Sequence, residues 1–364
     1  MWRKSQETRS DMAKVLGILG GGQLGRMSAL AAAQIGVHTI IFCPEKGCPA
    51  SYVSAGTYFA DYTDQKALKE FADMVDVISY EFENIPLETV RYLEQFKPVY
   101  PDARALEVSQ DRGVEKKFLN DIGIPTTRWM LVNEASDIEK VAAEWNVDSF
   151  ILKTCRFGYD GKGQHRYKKG ENVNEIWDSL GNVPLIAEEF VSFEQEISMI
   201  IARDKLGQIA VYGPMENEHR DSILHKTSVP VHLFEELEKQ AHKDAHLLAE
   251  AIDLVGVLAL EMFVTKDGKI LANEMAPRPH NSGHWTMDAC AVSQFENHVR
   301  TVCGYTVGSA TRHSDAVMRN LIGDEIDEAS KLMEMENTCV HVYGKSEARP
   351  SRKMGHVTTL LVKK

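Results

Sequence analysis

The chain has 364 residues, 43% of them hydrophobic, which is too long for one ordinary core and apolar enough for two or three packed units. Its 53 acidic side chains against 41 basic ones give a formal charge of -12, which argues against nucleic acid and anionic membrane as partners, because both call for a basic face that displaces counterions. No apolar run approaches the roughly 20 residues that span a bilayer, and the six cysteines (Cys43, Cys48, Cys155, Cys290, Cys303 and Cys339) form no CxxC pair and no zinc-finger spacing, so neither a disulfide framework nor a zinc site is expected and a reducing cytoplasm is.

The first residues, Met1-Trp-Arg-Lys-Ser-Gln, lack the apolar core of a secretory signal, and Met12-Ala-Lys-Val-Leu-Gly is a more natural start, so residues 1–11 read as an extension. Val15 to Leu19 reads as a strand, Arg26 to Ile35 as a helix and His38 to Cys43 as a second strand, a βαβ opening. Asp76 to Tyr80 repeats the strand signal, Leu87 to Gln95 is helical, and Pro98 to Pro101 suggests a short closing strand of a doubly wound α/β unit over residues 12–111. A helix from Val114 to Asp121 ends at Gly123-Ile-Pro125, where proline forbids continuation. An α+β unit over residues 112–303 follows, with strands at Ser149 to Lys153, Pro184 to Val191, Leu258 to Val264 and Lys269 to Glu274 and a long helix near Phe234 to Leu254. The tail, 304–364, is polar and strand-poor until Cys339 to Tyr343 and Val357 to Val362, and should pack on the body as a small unit.

Three motifs carry chemistry. Gly20-x-Gly22-x-x-Gly25, between a strand and a helix, offers helix-terminal amides to a phosphate; with Glu45 twenty residues beyond Gly25, it also fits an NAD-dependent oxidoreductase, and glycines that merely let helix and strand pack closely remain a third reading. Lys153 is followed by a second glycine-rich loop, Gly158-Tyr-Asp-Gly161-Lys-Gly163-Gln164, whose backbone can approach a polyphosphate while Lys153 and Lys162 neutralise it; a dehydrogenase needs no such loop. Glu261 and Asn273-Glu274 lie on two apolar runs joined by the turn Lys266-Asp-Gly268, which sets the carboxylates side by side as oxygen ligands suited to magnesium and ATP. Solvated strand acids are the plainer alternative, disfavoured by the apolar neighbours.

The order of strand lysine, glycine-rich loop, acidic strand and Glu…Asn-Glu resembles the ATP-grasp superfamily. Within it, Gly20-Gly-Gly-Gln-Leu-Gly-Arg-Met27, the loop 158–164, Asn273-Glu-Met-Ala-Pro-Arg278 and His280-Asn-Ser-Gly-His-Trp285 resemble the N5-carboxyaminoimidazole ribonucleotide synthetases, from about residue 13 to the end. The resemblance implies a Rossmann-like pre-ATP-grasp domain, an ATP-grasp fold and a small C-terminal domain. It implies an ATP slot with Arg112 and Lys153 on phosphate or nucleotide, Gly158, Tyr159, Asp160, Gly161, Lys162, Gly163 and Gln164 as closing loop, Glu188, Glu189, Phe190 and Val191 at adenine, Glu196 on the ribose and His219 beside it. Magnesium would sit on Glu261, Asn273 and Glu274. Gly22, Gln23, Leu24, Glu81 (or Glu83), Tyr159, Arg278, Lys345 and Arg352 would bind aminoimidazole ribonucleotide, with Asp160, Lys162, Arg278 and His280 catalytic. Bicarbonate would be the third substrate and a homodimer the assembly. A formate-dependent glycinamide ribonucleotide transformylase shares the ATP motifs and stays open here, as does a nucleotide sensor without turnover.

Overall fold

Val15–Leu19 (β1) is buried at every position, as a parallel strand covered on both faces must be. It is followed by α1 (Gln23–Gln34), β2 (His38–Cys43), β3 (Gly56–Phe59), α2 (Gln65–Met74) and β4 (Val77–Tyr80), which make a parallel sheet in the order β3-β2-β1-β4. Phe71 and Ala72 of α2 cover one face; Ala32 of α1 covers the other, with Val299 and Val302 reaching over from far along the chain. Next come α3 (Leu87–Glu94), α4 (Ala103–Gln110) and α5 (Arg112–Asp121). Asp102 and Asp111 cap α4 and α5 by accepting backbone N–H groups of the first turn, which is why each helix starts where it does. The strand expected at Pro98 to Pro101 is only a bridge from Val99 to Ile78, because prolines at both ends remove ladder donors. The computed structural model describes residues 14–158 and 161–361; the expected extension, Tyr159 and Asp160 lie outside the described residues.

A second layer begins with β5 (Trp129–Val132), α6 (Ala135–Trp145), β6 (Ser149–Thr154), β7 (Gln164–Lys168), α7 (Val173–Ser179) and β8 (Leu185–Glu188), an antiparallel sheet in the order β5-β8-β6-β7 packed around Phe150, Trp145 and Ile176. The chain leaves this sheet at Glu188, so Glu189, Phe190 and Val191 lie outside the strand expected to contain them.

The third layer is built on an eight-stranded sheet. It comprises β9 (Phe193–Arg203), β10 (Ile209–Arg220), β11 (Ile223–Val229), α8 (Glu235–Ala251), β12 (Gly256–Thr265), β13 (Ile270–Ala276), α9 (Thr286–Ala289), α10 (Gln294–Val302), β14 (Asp315–Ile322), α11 (Ala329–Leu332), β15 (Thr338–Val342) and β16 (Lys353–Leu361). All eight strands pair antiparallel in the order β13-β12-β9-β10-β11-β14-β16-β15. Alternate residues of β12 serve two cores: Leu258, Leu260 and Met262 pack with Ala245 and Leu248 of α8, while Val257 and Ala259 pack with Trp285 and Met318. The tail packs on the body through the sheet itself: β14 bonds directly to β11 and extends it.

Candidate active site

The three layers meet around a cleft of about 1020 Å³, and the glycine-rich start of α1 forms one wall. Its amides already have an anion. Gly22 N–H donates to the Glu81 carboxylate, and Gly25 N–H donates to Glu81 Oε2 at 2.7 Å. A Cβ on Gly22 would stand 2.7 Å from Glu81 Oε1, so the position needs glycine. Burial pushes the Glu81 carboxyl above its usual range, while the two amides pull the other way. A dinucleotide pyrophosphate on this helix end would have to displace Glu81, which weakens the oxidoreductase reading; Glu45 is an exposed loop residue. Glu83, two residues on, instead grips Arg278, which donates through Nη2 to Oε1 at 3.0 Å and through Nε to the other oxygen. Burial opposes the charge of Glu83, but the guanidinium outweighs it and holds the carboxyl below normal. The two acids thus divide the work: Glu81 orders the loop and Glu83 aims Arg278.

Across the cleft, Glu261 of β12 and Glu274 of β13 are directly paired residues, as the hairpin reading required. The ladder then slips, with Met262 opposite Ala272, so Asn273 is an extra residue that bulges. The bulge lets Asn273 and Glu274, neighbours that a regular strand would send to opposite faces, both line the cleft. Arg112 donates to Glu274 Oε2 at 2.8 Å. Burial resists ionisation of Glu274, yet Arg112 prevails and holds its carboxyl at about 2. Glu261 has no such cation: burial, then the Glu274 charge, push it up to about 7. His280 Nε2 lies 3.0 Å from Glu261 Oε1, and burial, then Arg278, press the imidazole down to about 3, so it is neutral. Asn273 Oδ1 is buried without a hydrogen-bond partner. Two facing carboxylates, of which only Glu274 has a bonded cation, and an orphaned amide oxygen make a hard-oxygen set that fits magnesium.

Lys153, at the end of β6, donates to the Glu188 carboxylate, and Lys116 of α5, with a side chain 0% exposed, lies 3.4 Å from the other oxygen of Glu188. Burial opposes the charge of Glu188, but the two ammonium groups hold its carboxyl at about 2. Lys116 also donates to Asn273 O at 2.8 Å and so ties α5 to the bulge. Glu115 beside it accepts the Met275 N–H at 2.6 Å, and burial, then Glu274, raise it to about 8. Glu188 is thus engaged by lysines inside the fold rather than presented to a base; exposed Phe190 lies under the Arg166 guanidinium, and Glu189, Phe190 and Val191 form the link into β9. The second glycine-rich loop folds over the cleft. Arg112 reaches Gly158 O at 3.4 Å, while Gly161, at φ +78°, sits so close to Ser222 that a Cβ would be 2.8 Å away. Lys162, Gly163 and Gln164 line the cleft beside it. Glu196 and His219 line it too and bond one another, an interaction that raises His219 against the effect of its burial.

Neither Lys345 nor Arg352 lines the cleft. Lys345 donates to Lys353 O at 2.7 Å and Arg352 to Glu347 O at 3.0 Å; the lining cation of this hairpin is Lys353. Sequence reasoning passed over Lys353, Lys116 and Glu115. For Lys353 the signal was its place beside Arg352; for the Glu115-Lys116 pair it was a charged couple inside a predicted helix that faces the metal strands, invisible until α5 met β13.

A parallel nucleotide-fold wall, a glycine-rich lid and a carboxylate hairpin around one cleft define an ATP-grasp ligase. Family models agree: a ribonucleotide synthetase preATP-grasp domain matches residues 12–110, an ATP-grasp domain 117–295, and a phosphoribosylaminoimidazole carboxylase C-terminal domain 316–363. The N5-carboxyaminoimidazole ribonucleotide synthase of Brucella melitensis is 48% identical over 95% of this chain and 96% of its own length. The N5-carboxyaminoimidazole synthetase of Staphylococcus aureus in complex with ADP superposes with a TM-score of 0.92 at 34% identity, over 99% of this chain and 96% of that one. The Aspergillus clavatus synthase in complex with ADP and 5-aminoimidazole ribonucleotide does so at 0.89 and 27%, over 96% and 94%. The chain belongs to the N5-carboxyaminoimidazole ribonucleotide synthase family.

Proposed function

We infer that this cleft joins bicarbonate to the exocyclic amine of 5-aminoimidazole ribonucleotide at the expense of ATP, releasing ADP, phosphate and N5-carboxyaminoimidazole ribonucleotide for purine biosynthesis. The observation that carries the reading is the Glu261–Glu274 pair with its orphaned Asn273 oxygen, in one cleft with Lys153, Arg112 and Arg278.

Bicarbonate is a poor electrophile because its carbon already bears anionic oxygen; transfer of the ATP γ-phosphoryl to it gives carboxyphosphate, whose phosphate is a good leaving group. Lys153, Arg112 and Lys162 supply the positive charge for that transfer, which is a matter of positioning and electrostatics more than of covalent chemistry. Magnesium on Glu261, Glu274 and Asn273 would neutralise charge gathering on the phosphoryl oxygens. The lid from Gly158 to Gln164, to which Tyr159 and Asp160 belong, keeps water from the acyl phosphate. Adenine is assigned to the link Glu188 to Val191, by family resemblance and because the link leads directly into the cleft-lining start of β9, and the ribose to Glu196 beside His219, both of which line the cleft. The amine of the ribonucleotide attacks the activated carbon and loses a proton. Arg278, aimed by Glu83, bears on the carboxyl being transferred, and neutral His280 orients the amine by hydrogen bonding rather than by charge. Lys353 of the hairpin β15–β16 lines the cleft with Gly22, Gln23 and Leu24, and the ribonucleotide phosphate is assigned to it with Lys345 and Arg352 of the same hairpin, Glu81 ordering the glycine loop.

We divide the chain at 111/112 and 303/304, the second cut being functional since the sheet crosses it. No helix of the described residues is long and apolar enough to cross a membrane, and the six cysteines are free thiols, which supports a reducing cytoplasm. A homodimer is assigned by family alone. ADP release with ATP and bicarbonate, with and without aminoimidazole ribonucleotide and against formate plus glycinamide ribonucleotide, tests the whole: strong stimulation by the first pair supports it, and turnover only with the second overturns it.

A further inference from the structure

A second polar cluster lies outside the cleft, where α9 packs on the hairpin β15–β16. His341 and His356 are directly paired residues of that hairpin, and their rings stack at 4.5 Å and 17°. His341 Nε2 stands 3.0 Å from each oxygen of Asp288 in α9. Cys339 lies two residues before His341, on the same face of β15, and its thiol hydrogen-bonds Asp288. One ligand atom each from Asp288, His341 and His356 lies within 4.8 Å of the other two.

One imidazole nitrogen here has no protein partner. His356 is 0% exposed; its Nδ1 pairs with the Tyr343 hydroxyl at 2.9 Å, and its Nε2 is buried with no hydrogen-bond partner. A buried ring nitrogen without a partner has given up its water and gained nothing in return, which destabilises the fold unless something binds it. When Nδ1–H donates to the tyrosine oxygen, Nε2 carries the lone pair, and an outer hydrogen bond of this kind is what fixes the tautomer of a metal-bound histidine. The neighbouring His284, also 0% exposed with Nε2 unpartnered, has its ring 4.8 Å from that of His356. A hydrogen-bonded His–Asp pair alone would explain His341 and Asp288, but it leaves His356 unexplained.

We propose that Asp288, Cys339, His341 and His356 form a site for one zinc-class transition-metal ion that clamps α9 to the hairpin β15–β16. Two imidazoles, a thiolate and a carboxylate favour such an ion over magnesium or calcium, which want oxygen throughout. Tetrahedral bonds of about 2.0–2.3 Å put ligand atoms roughly 3.3–3.8 Å apart, which Asp288, His341 and His356, now within 4.8 Å of one another, reach by small rotamer changes, while Cys339 joins them from its hydrogen bond to Asp288. The side chains of Asp288 and His341 keep 9% and 27% of their exposure, which gives an ion a way in. Binding takes the thiol proton of Cys339 to solvent and costs no redox equivalent.

The test is equilibrium dialysis of the full chain against zinc with excess magnesium, together with cobalt spectroscopy. The wild type is expected to hold one ion with tetrahedral cobalt bands and a thiolate charge-transfer band. Cys339→Ser loses the charge-transfer band, and His341→Gln and Asp288→Asn bind at least tenfold more weakly. Because both substitutions keep side-chain size and a hydrogen-bonding group, circular dichroism and zinc-free ADP release should stay at wild-type values, which separates a lost ligand from a lost fold. Glu261→Gln, in the other cleft, should leave zinc binding unchanged. Equal zinc binding by wild type and His341→Gln, or no ion bound by the wild type, overturns the proposal.

Discussion

Neutralising either carboxylate of the metal hairpin should stop turnover, yet the two substitutions should move stability in opposite directions. Glu261 and Glu274 face one another across β12 and β13. Above about pH 7, where Glu261 is ionised as well, two full charges at about 5 Å between facing positions and an effective dielectric near 20 repel by roughly 3 kcal/mol. Glu261→Gln removes that repulsion and leaves the Arg112–Glu274 pair intact, so the metal-free protein should become more stable by about 1–2 kcal/mol after screening. Glu274→Gln removes the same repulsion but strands Arg112, whose side chain keeps only 17% of its exposure, without its partner at 2.8 Å. That loss is worth about 1.5–3 kcal/mol, so the variant should be no more stable than wild type and is expected to be less. Both should lose several kcal/mol of transition-state stabilisation, or more than about 100-fold in kcat/KM for ATP. Thermal unfolding without magnesium, beside ADP release with it, reads both quantities. If both variants turned over normally the carboxylates would not serve the nucleotide, and if both lost stability equally the pair would be a structural element rather than a charge-frustrated site awaiting a cation.

Lys116→Met should lower stability by about 3 kcal/mol, at the lower end for a broken buried pair because Lys153 still accompanies Glu188, seen as a shift in urea midpoint with unchanged slope. Gly161→Ala, at φ +78° and 2.8 Å from Ser222, should misplace the lid and cut kcat while the melting temperature stays within a few degrees; an unchanged kcat would detach the loop from catalysis. Lys345→Ala and Arg352→Ala should raise the KM for aminoimidazole ribonucleotide about tenfold and spare that for ATP; an equal rise in both would point to a misfolded tail. His298 is buried, with Nε2 2.8 Å from Ser79 Oγ, and burial holds it at about 3 against an ordinary 6.5. Below pH 6.5 the unfolded chain binds a proton that the folded chain refuses, so stability falls as the medium is acidified, by about 2 kcal/mol between pH 7 and 5 for this group. His298→Gln should remove that share of the slope in urea unfolding at the two pH values.

The elements that could be read from the sequence are those whose two faces meet the same environment. The run at β1 is apolar throughout because helices cover both sides, and β12 reads as a strand for the same reason. The strands β9, β10 and β11 were missed because their pattern mixes two tasks. One end of β9, Phe193 to Glu196, lines the cleft with acids, while Ile197 to Ala202 is core; β10 likewise runs from Ile209 into Glu216–His219 at the cleft. Acids and amides directed inward look like a loop when only periodicity is counted. In β14 the same disguise comes from Asn320, which is 0% exposed and donates to Leu224 O at 2.8 Å inside the sheet.

The site was readable where a turn fixed the geometry and unreadable where a third element did. Lys266-Asp-Gly268 sets Glu261 against Glu274, and the hairpin follows from it. Nothing in that spacing reveals the bulge at Asn273, yet the bulge is what brings amide and carboxylate to one face, and it is held from outside: Lys116 takes the Asn273 carbonyl and Glu115 the Met275 N–H, from a helix more than 150 residues earlier. The same dependence explains the loop at α1. Its glycines suggested a waiting anion site, but the anion is Glu81, supplied by β4 some 56 residues later. With the Gly22 and Gly25 amides spent on Glu81, the loop turns Gly22, Gln23 and Leu24 to the cleft with only part of its anion-binding capacity left. The proposed ribonucleotide site therefore leans on side-chain cations that line the cleft, Lys353 and Arg278, more than on the helix dipole of α1.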